Sequence, residues 1–277
     1  MEPNTVGPNA MEPGMQMPST RLQEEYIEKE RLHKKRVATC RIMMLVLLLA
    51  IWELCARLGI IDDFIFSSPS RVFFCFRDMV LDGSIFGHIG ITLFETLVSF
   101  FLVVVIGIAM AVLLWSSRSA SEIMEPYLVM LNSLPKSALA PILIVWLGNH
   151  VRTIVVAAVS VAVFGSVLTL HNGFSNMDPD KIKLIYSLGG KKKDVLTKVL
   201  LPGSMPLIIS NMKVNIGLCL VGVIIGEFLA AQKGLGYLII YGSQVFKLDM
   251  VMMSIVILCI VSAALYQGIA WLEKKFS

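Results

Sequence analysis

Residues 187–206 read SLGGKKKDVLTKVLLPGSMP: four lysines, a Gly-Gly pair and a Leu-Pro-Gly stop, set between two of the most apolar stretches of the chain. What flanks this insert decides the fold. Of 277 residues, 56% are hydrophobic and 16% charged, with a mean hydropathy of +0.76, against about 45–50% apolar and about 25% charged in an ordinary soluble domain. Such a chain is built for lipid, so the useful count is of helices about 20 residues long.

Six apolar segments run roughly over 40–58, 89–115, 123–147, 151–171, 204–230 and 249–272. Each is long enough to cross the hydrocarbon as a helix, which satisfies its own backbone polar groups. The third is broken by Pro135, Lys136 and Pro141, and a broken helix at membrane depth is tolerated only against protein or a water-filled path. The expected fold is an all-α membrane protein with about six transmembrane helices. Ahead of it, residues 1–20 are rich in Pro, Met, Gly and Asn without hydrophobic period and are expected to be disordered. Residues 21–38 form a charged, helical lead-in that ends in Lys34, Lys35 and Arg36. The apolar run after it lacks a small-residue cleavage site, so the segment is read as retained. This divides the chain into a tail, 1–38, and a membrane domain, 39–277.

The net charge of +4 is topological rather than a sign of a nucleic-acid partner. With the amino terminus inside, the cytoplasmic segments carry Arg21, Lys29, Arg31, Lys34, Lys35, Arg36, Arg41, Arg118, Lys181, Lys183, Lys191, Lys192, Lys193, Lys198, Lys274 and Lys275; the other side carries Arg57, Arg71, Arg77, Arg152, Lys233 and Lys247. The bias puts both termini and the insert in the cytoplasm of a multi-pass protein.

Asp178-Pro179 is a good helix start, with an oxygen acceptor at the cap and a proline at the first position. Beyond it Ile182, Ile185 and Leu188 share a face, and after Gly189-Gly190 a second set, Val195, Leu196, Val199 and Leu200, shares another. Leu201-Pro202-Gly203 is expected to end the structure before the fifth span. The insert, about 178–202, therefore reads as two short amphipathic helices on a glycine joint. It is either an interfacial hairpin on anionic lipid or a docking element for a soluble partner.

Catalytic and nucleotide motifs do not appear. The only Gly-Lys pair, Gly190-Lys191, is followed by Lys192 and lacks the glycine of a phosphate loop. Gly234 and Gly236 lack the third glycine of a dinucleotide site. The five cysteines are scattered and are expected to be small buried side chains, and His33, His88, His150 and His171 to be solvated or interfacial. Ionisable groups at membrane depth are functional candidates by default. Lys136 is one, with Asn132 and Ser133 beside it; Glu95 in the second span reads as a packing or interfacial carboxylate. Lys213, with Asn211 and Asn215, is expected to form an inner-mouth polar cluster. Glycines such as Gly222 and Gly226 are read as close helix packing. Between spans, Val72, Phe73, Phe76, Met79 and Val80 share one face of an external interfacial helix.

The run from Gly189 to Pro202, a glycine, nine residues, then Val199-Leu200-Leu201-Pro202, resembles the cytoplasmic signature loop of permease subunits in bacterial ABC importers. IWELCARLG at 51–59, SSPSRV at 67–72, MLNSLPKSALAPILIVWLG at 130–148 and GEFLAAQKGLGYLI at 226–239 are similar to the sulfonate, taurine and nitrate branch of that family. The family's Glu-Ala-Ala opening is replaced by Lys183, Leu184 and Ile185.

The resemblance implies a type I ABC importer transmembrane domain in the bacterial plasma membrane. It implies a second permease copy, a homodimer, two ATPase subunits and an extracytoplasmic solute-binding protein. No cofactor is expected on this chain, ATP and Mg belonging to the partner. By resemblance the ATPase-coupling loop comprises Lys183, Leu184, Ile185, Ser187, Leu188, Gly189, Gly190, Val199, Leu201 and Pro202, and Glu227 matches the glutamate of the family's GEFL motif. Translocation-path candidates are Asn132, Ser133, Lys136, Lys213 and Glu227. The solute implied is a small sulfonate, taurine or nitrate type of anion. A thiamine pyrimidine or riboflavin type of vitamin precursor is the alternative within the class, and a stand-alone channel or secondary carrier the alternative outside it.

Overall fold

A computed structural model describes residues 17–276, every regular element of which is a helix. The expectation for residues 1–16 lies outside the described part; residues 17–20, expected to lack structure, already belong to a helix. The chain divides into two units between Asp63 and Phe64. In the first, α1, Met17–Arg57, joins the charged lead-in and the first apolar segment into one helix of 41 residues. Its polar half carries a Lys34–Glu30 ion pair one turn apart. Its apolar half shows Ile42 through Leu49 exposed on every face, as befits a helix whose solvent is hydrocarbon.

A short turn, α2, Asp63–Phe66, lies at the division, and the second unit goes on to α3, Pro69–Leu81, which Ser68 caps with a side chain that accepts from Arg71 N. The expected face of α3 is partly redrawn. Val72, Cys75, Met79 and Val80 pack inward, whereas Phe73 and Phe76 are exposed. The inward stripe follows the positions that meet α4 and α13. The junction is fixed by polar bonds: Ser67 Oγ donates to Asp249 Oδ1 at 2.7 Å and Arg71 Nη2 reaches Asp249 Oδ2 at 3.0 Å.

Next come α4, Ser84–Ser116; α5, Arg118–Ser133; α6, Lys136–Leu147; α7, Val151–Ser175; α8, Pro179–Ser187; α9, Lys192–Val195; a π-helical turn, Leu196–Leu200; α10, Leu201–Gly203; α11, Met205–Ala230; α12, Leu235–Gln244; and α13, Leu248–Phe276. Among the described residues five helices are long and apolar enough to cross a membrane, and six spans result if α5 and α6 form one. That pair is not a straight crossing, because its two helices meet at 102°. Leu134 precedes a proline and adopts ψ 142, extended rather than helical, since the proline ring excludes the helical backbone there.

Three helices make the centre. In a bilayer the gain from packing them is close van der Waals contact rather than escape from water. α7 and α11 approach closely: a Cβ on Gly222 would lie 2.6 Å from Ala158 Cα, and one on Gly226 would lie 3.0 Å from Ile154 Cα. α4 lies against the same helix, with Val103 and Leu114 meeting Ala162, Val163 and Val167. Ser166 Oγ accepts from Asn211 Nδ2 at 2.7 Å and from Asn215 Nδ2 at 2.9 Å, inside this packed seam.

Candidate functional site

The insert joins the end of α7 to the start of α11, and its two halves differ. Asp178 caps α8 by accepting from Asp180 N at 2.9 Å. α8 buries no residue, and Leu184, Tyr186 and Leu188 are 59%, 48% and 76% exposed. Leu188 leaves the expected Ile182/Ile185 face because the helix ends at Ser187. Lys183 pairs with Asp180 at 3.2 Å in full solvent, and Ser187 Oγ donates back to Lys183 O.

The chain then turns at Gly189, whose φ of 80° suits glycine. Gly190 presses on the preceding helix, where a Cβ would meet Ile185 Cγ2 at 2.5 Å. The second half is anchored. Asp194 Oδ2 accepts from Lys191 N at 2.8 Å, and that bond, with the Lys198 ammonium beside it, holds the Asp194 carboxyl below the usual carboxylate range. Lys192 donates to Ser116 O at the end of α4, where the unpaired carbonyls favour a cation, and it stands 5.5 Å from the Trp115 ring centroid.

Val195 and Leu200 are fully buried, and Leu200 meets Ala111, Leu170, Phe174 and Ile208, with Leu196 and Leu201 alongside. The helical run ends at Leu201-Pro202-Gly203, as the sequence suggested: these residues form α10, reached through the π-helical turn, and Ser204 breaks the helix before α11. Pro202 has no N–H to continue the α-helical ladder, and the turn before it is widened. Val199 is half-buried and Pro202 exposed.

At the opposite end, Glu227 is completely buried. Its Oε1 accepts from Thr92 Oγ1 at 2.7 Å and its Oε2 from Gly236 N at 2.5 Å, while Leu235 N donates to Thr92 Oγ1 at 2.8 Å. The carboxyl and a hydroxyl from α4 together satisfy the first amides of α12, which its own residues leave uncapped. Gly234, at φ 127°, leaves the room: a Cβ there would lie 2.3 Å from Glu227 Cδ. The two glycines dismissed as a dinucleotide motif are the cradle of this carboxyl. Their nine- and seven-residue spacing from Glu227 was the only sequence signal for it.

The remaining polar candidates separate. Lys136 Nζ donates to Asn132 Oδ1 at 3.2 Å across the bend, and Ser133 Oγ donates to Val129 O. Lys213 pairs with Glu273 of α13, a partner sequence reading did not find. The expected cluster of Lys213, Asn211 and Asn215 is therefore split. Asn211 and Asn215, four apart, face α7, and Lys213, midway between them, points to the other side of the helix.

His171 is buried and bonded to Ser121 Oγ at 2.7 Å, not solvated or interfacial as expected, whereas His88 is half-buried near the start of α4 and stacks on Tyr237. Of the cysteines only Cys219 is buried, Cys40 and Cys259 being exposed on helices that face hydrocarbon.

Residues 103–277 match the family described as binding-protein-dependent transport system inner membrane component. Among curated proteins, the chain is 25% identical over 235 residues to the putative aliphatic sulfonates transport permease SsuC of Bacillus subtilis, covering 84% of this chain and 85% of that one. It is 26% identical over 196 residues to the formylaminopyrimidine transport permease ThiX of Halalkalibacterium halodurans, covering 70% and 77%. It is also 23% identical over 245 residues to the taurine transport permease TauC of Escherichia coli, covering 86% and 89%. In fold it is similar to a chain of the inward-facing MetNI methionine ABC transporter, with TM-score 0.61 and 17% identity over 70% of this chain and 96% of that one.

Proposed function

The chain belongs to the family of binding-protein-dependent transport system inner membrane components, and on that premise we propose that α8 is the element through which a soluble ATPase drives it. Family membership makes it a multi-pass permease subunit of an ABC importer whose ATPase is a separate chain. The observation that carries the coupling role is the asymmetry of the insert. α8 offers Leu184, Tyr186 and Leu188 to solvent, while Val195 is fully buried and Leu200, with Leu196 and Leu201 alongside, is locked into the cluster of α4, α7 and α11.

A push on α8 passes through the Gly189-Gly190 joint to a segment that cannot yield without moving the helices it is packed on. That is the requirement for converting nucleotide-driven ATPase closure into exchange between outward-open and inward-open states. In this reading two ATPase subunits bind two copies of the chain, ATP and Mg reside in the ATPase, and the termini and the insert face the cytoplasm. A solute-binding protein delivers from the other side. Lys183 in place of the family's glutamate makes the contact mainly apolar, centred on Leu184 and Leu188.

The test is copurification from native membranes in mild detergent with ATP hydrolysis measured. Leu184→Asp with Leu188→Asp is expected to release the ATPase while leaving thermal unfolding of the permease unchanged. An ATPase retained at wild-type level would refute the assignment to α8. A wild-type chain that brings no ATPase would favour a stand-alone carrier.

A further inference from the structure

At the end of the second unit opposite the lysine-rich loop, two buried carboxyl groups meet. Glu95 of α4 is 1% exposed, Glu227 of α11 is fully buried, and their side chains are hydrogen-bonded to each other. An ionised carboxyl only accepts, so a bond between two of them requires a hydrogen on one. The surrounding bonds say which one carries it. Thr92 Oγ1 accepts from Leu235 N and so gives its own hydrogen to Glu227 Oε1, while Gly236 N donates to Glu227 Oε2. Glu95 receives no donor among the described residues, and its Oε2 has no partner. The hydrogen therefore sits on Glu95 and is donated to Glu227. Without it, two like charges would face each other out of water.

No ion pair among the described residues offsets such a charge. Glu95 lines a cavity of about 460 Å³ whose charged and titratable rim is His150 and Arg152 from α7 and Lys233 from the link between α11 and α12. All three are exposed, so the cavity joins Glu95 to the solution on that side. On α4 itself His88 is engaged with the Gly234 backbone and stacks on Tyr237 of α12. The other helices packed on this group, α3, α5, α6, α12 and α13, put no side chain on the cavity.

We propose that Glu95 and Glu227 form a proton-binding site, filled through this cavity, whose bound proton clasps α4 to α11. Thr92 extends the clasp to the start of α12 through Leu235 N. Loss of the proton to a base in the cavity leaves two carboxylates side by side, and the bond becomes a repulsion. A rise in pH on the cavity side is thus expected to part the ends of α4 and α11, and a fall to close them.

The test is infrared difference spectroscopy of the complex purified from native membranes and titrated with alkali. The wild type is expected to show the carbonyl stretch of a buried, protonated carboxyl, which disappears as pH rises. Glu95→Gln keeps a donor for Glu227 but has no proton to lose, so it is expected to lack that band, whereas His88→Gln and His150→Gln retain it. Spin labels at the exposed positions Phe86 and Gln232, in a background without native cysteines, read the clasp. Their separation is expected to increase as the band is lost in the wild type and to stay constant in Glu95→Gln. Absence of the band, a band unchanged by Glu95→Gln, or a separation indifferent to its loss overturns the proposal. If Glu95→Gln fails to fold, the wild type decides, since band and separation must change over the same pH range. ATPase copurification through α8 is scored in the same preparation, so either reading can fail while the other stands.

Discussion

Thr92 does two jobs with one hydroxyl, donating to Glu227 and accepting from Leu235 N. Thr92→Val keeps the shape and removes both bonds, so it leaves a buried carboxyl oxygen and an amide unsatisfied. Each such group costs about 1–3 kcal/mol. The variant is expected to lose about 2–4 kcal/mol of stability in detergent denaturation, whereas Ser243→Ala, whose hydroxyl serves only the exposed Ile240 O of its own helix, should change it by less than about 0.5 kcal/mol. A Thr92→Val protein as stable as wild type would show that the joint between α4, α11 and α12 is held by packing alone.

Glycines separate the elements into those that touch and those that do not. Gly222 brings α11 within 2.6 Å, at a would-be Cβ, of Ala158 Cα, but Gly217, in the same helix, has nothing within 4 Å. Gly222→Leu should wedge α7 from α11 and cost about 1–3 kcal/mol, the usual penalty of overpacking. Gly217→Ala should be neutral or stabilising by up to about 1 kcal/mol, since alanine loses less backbone entropy in a helix. Thermal melts of the two variants test whether α7 and α11 are in close contact at Gly222 and not at Gly217; equal effects would contradict it.

Across the second unit the long-range contacts sort into two ends. His88–Gly234, Thr92–Glu227 and Arg71–Asp249 gather at one, and Lys192–Ser116, His171–Ser121 and Lys213–Glu273 at the other. Helices that alternate direction through a bilayer produce this sorting, and from the excess of Lys and Arg we propose the second end as the cytoplasmic one. Single-cysteine variants in a background without native cysteines check it. Lys193→Cys is expected to react with a membrane-impermeant maleimide only from the cytoplasmic face, and Lys233→Cys only from the opposite face. Labelling of both from one face would contradict the orientation.

Composition and the spacing of apolar runs were enough to define an all-helical membrane chain with about six spans, because a backbone in hydrocarbon has no other way to satisfy itself alone. The insert was legible for the same kind of reason: Asp178-Pro179 and Gly189-Gly190 act on their own neighbours. Pro135 announced a break, but not a 102° bend, since a proline forbids a helix locally without saying where the next one is packed. The pairings of Glu227 with Gly236, Asp249 with Arg71, and Lys213 with Glu273 joined elements the sequence had left apart. A polar side chain's partner across the bundle depends on which helices adjoin and at what rotation, which tertiary packing alone decides. The same packing left Glu95 Oε2 unpartnered and facing a cavity, a property of the assembled helices and of no single residue's place in the chain.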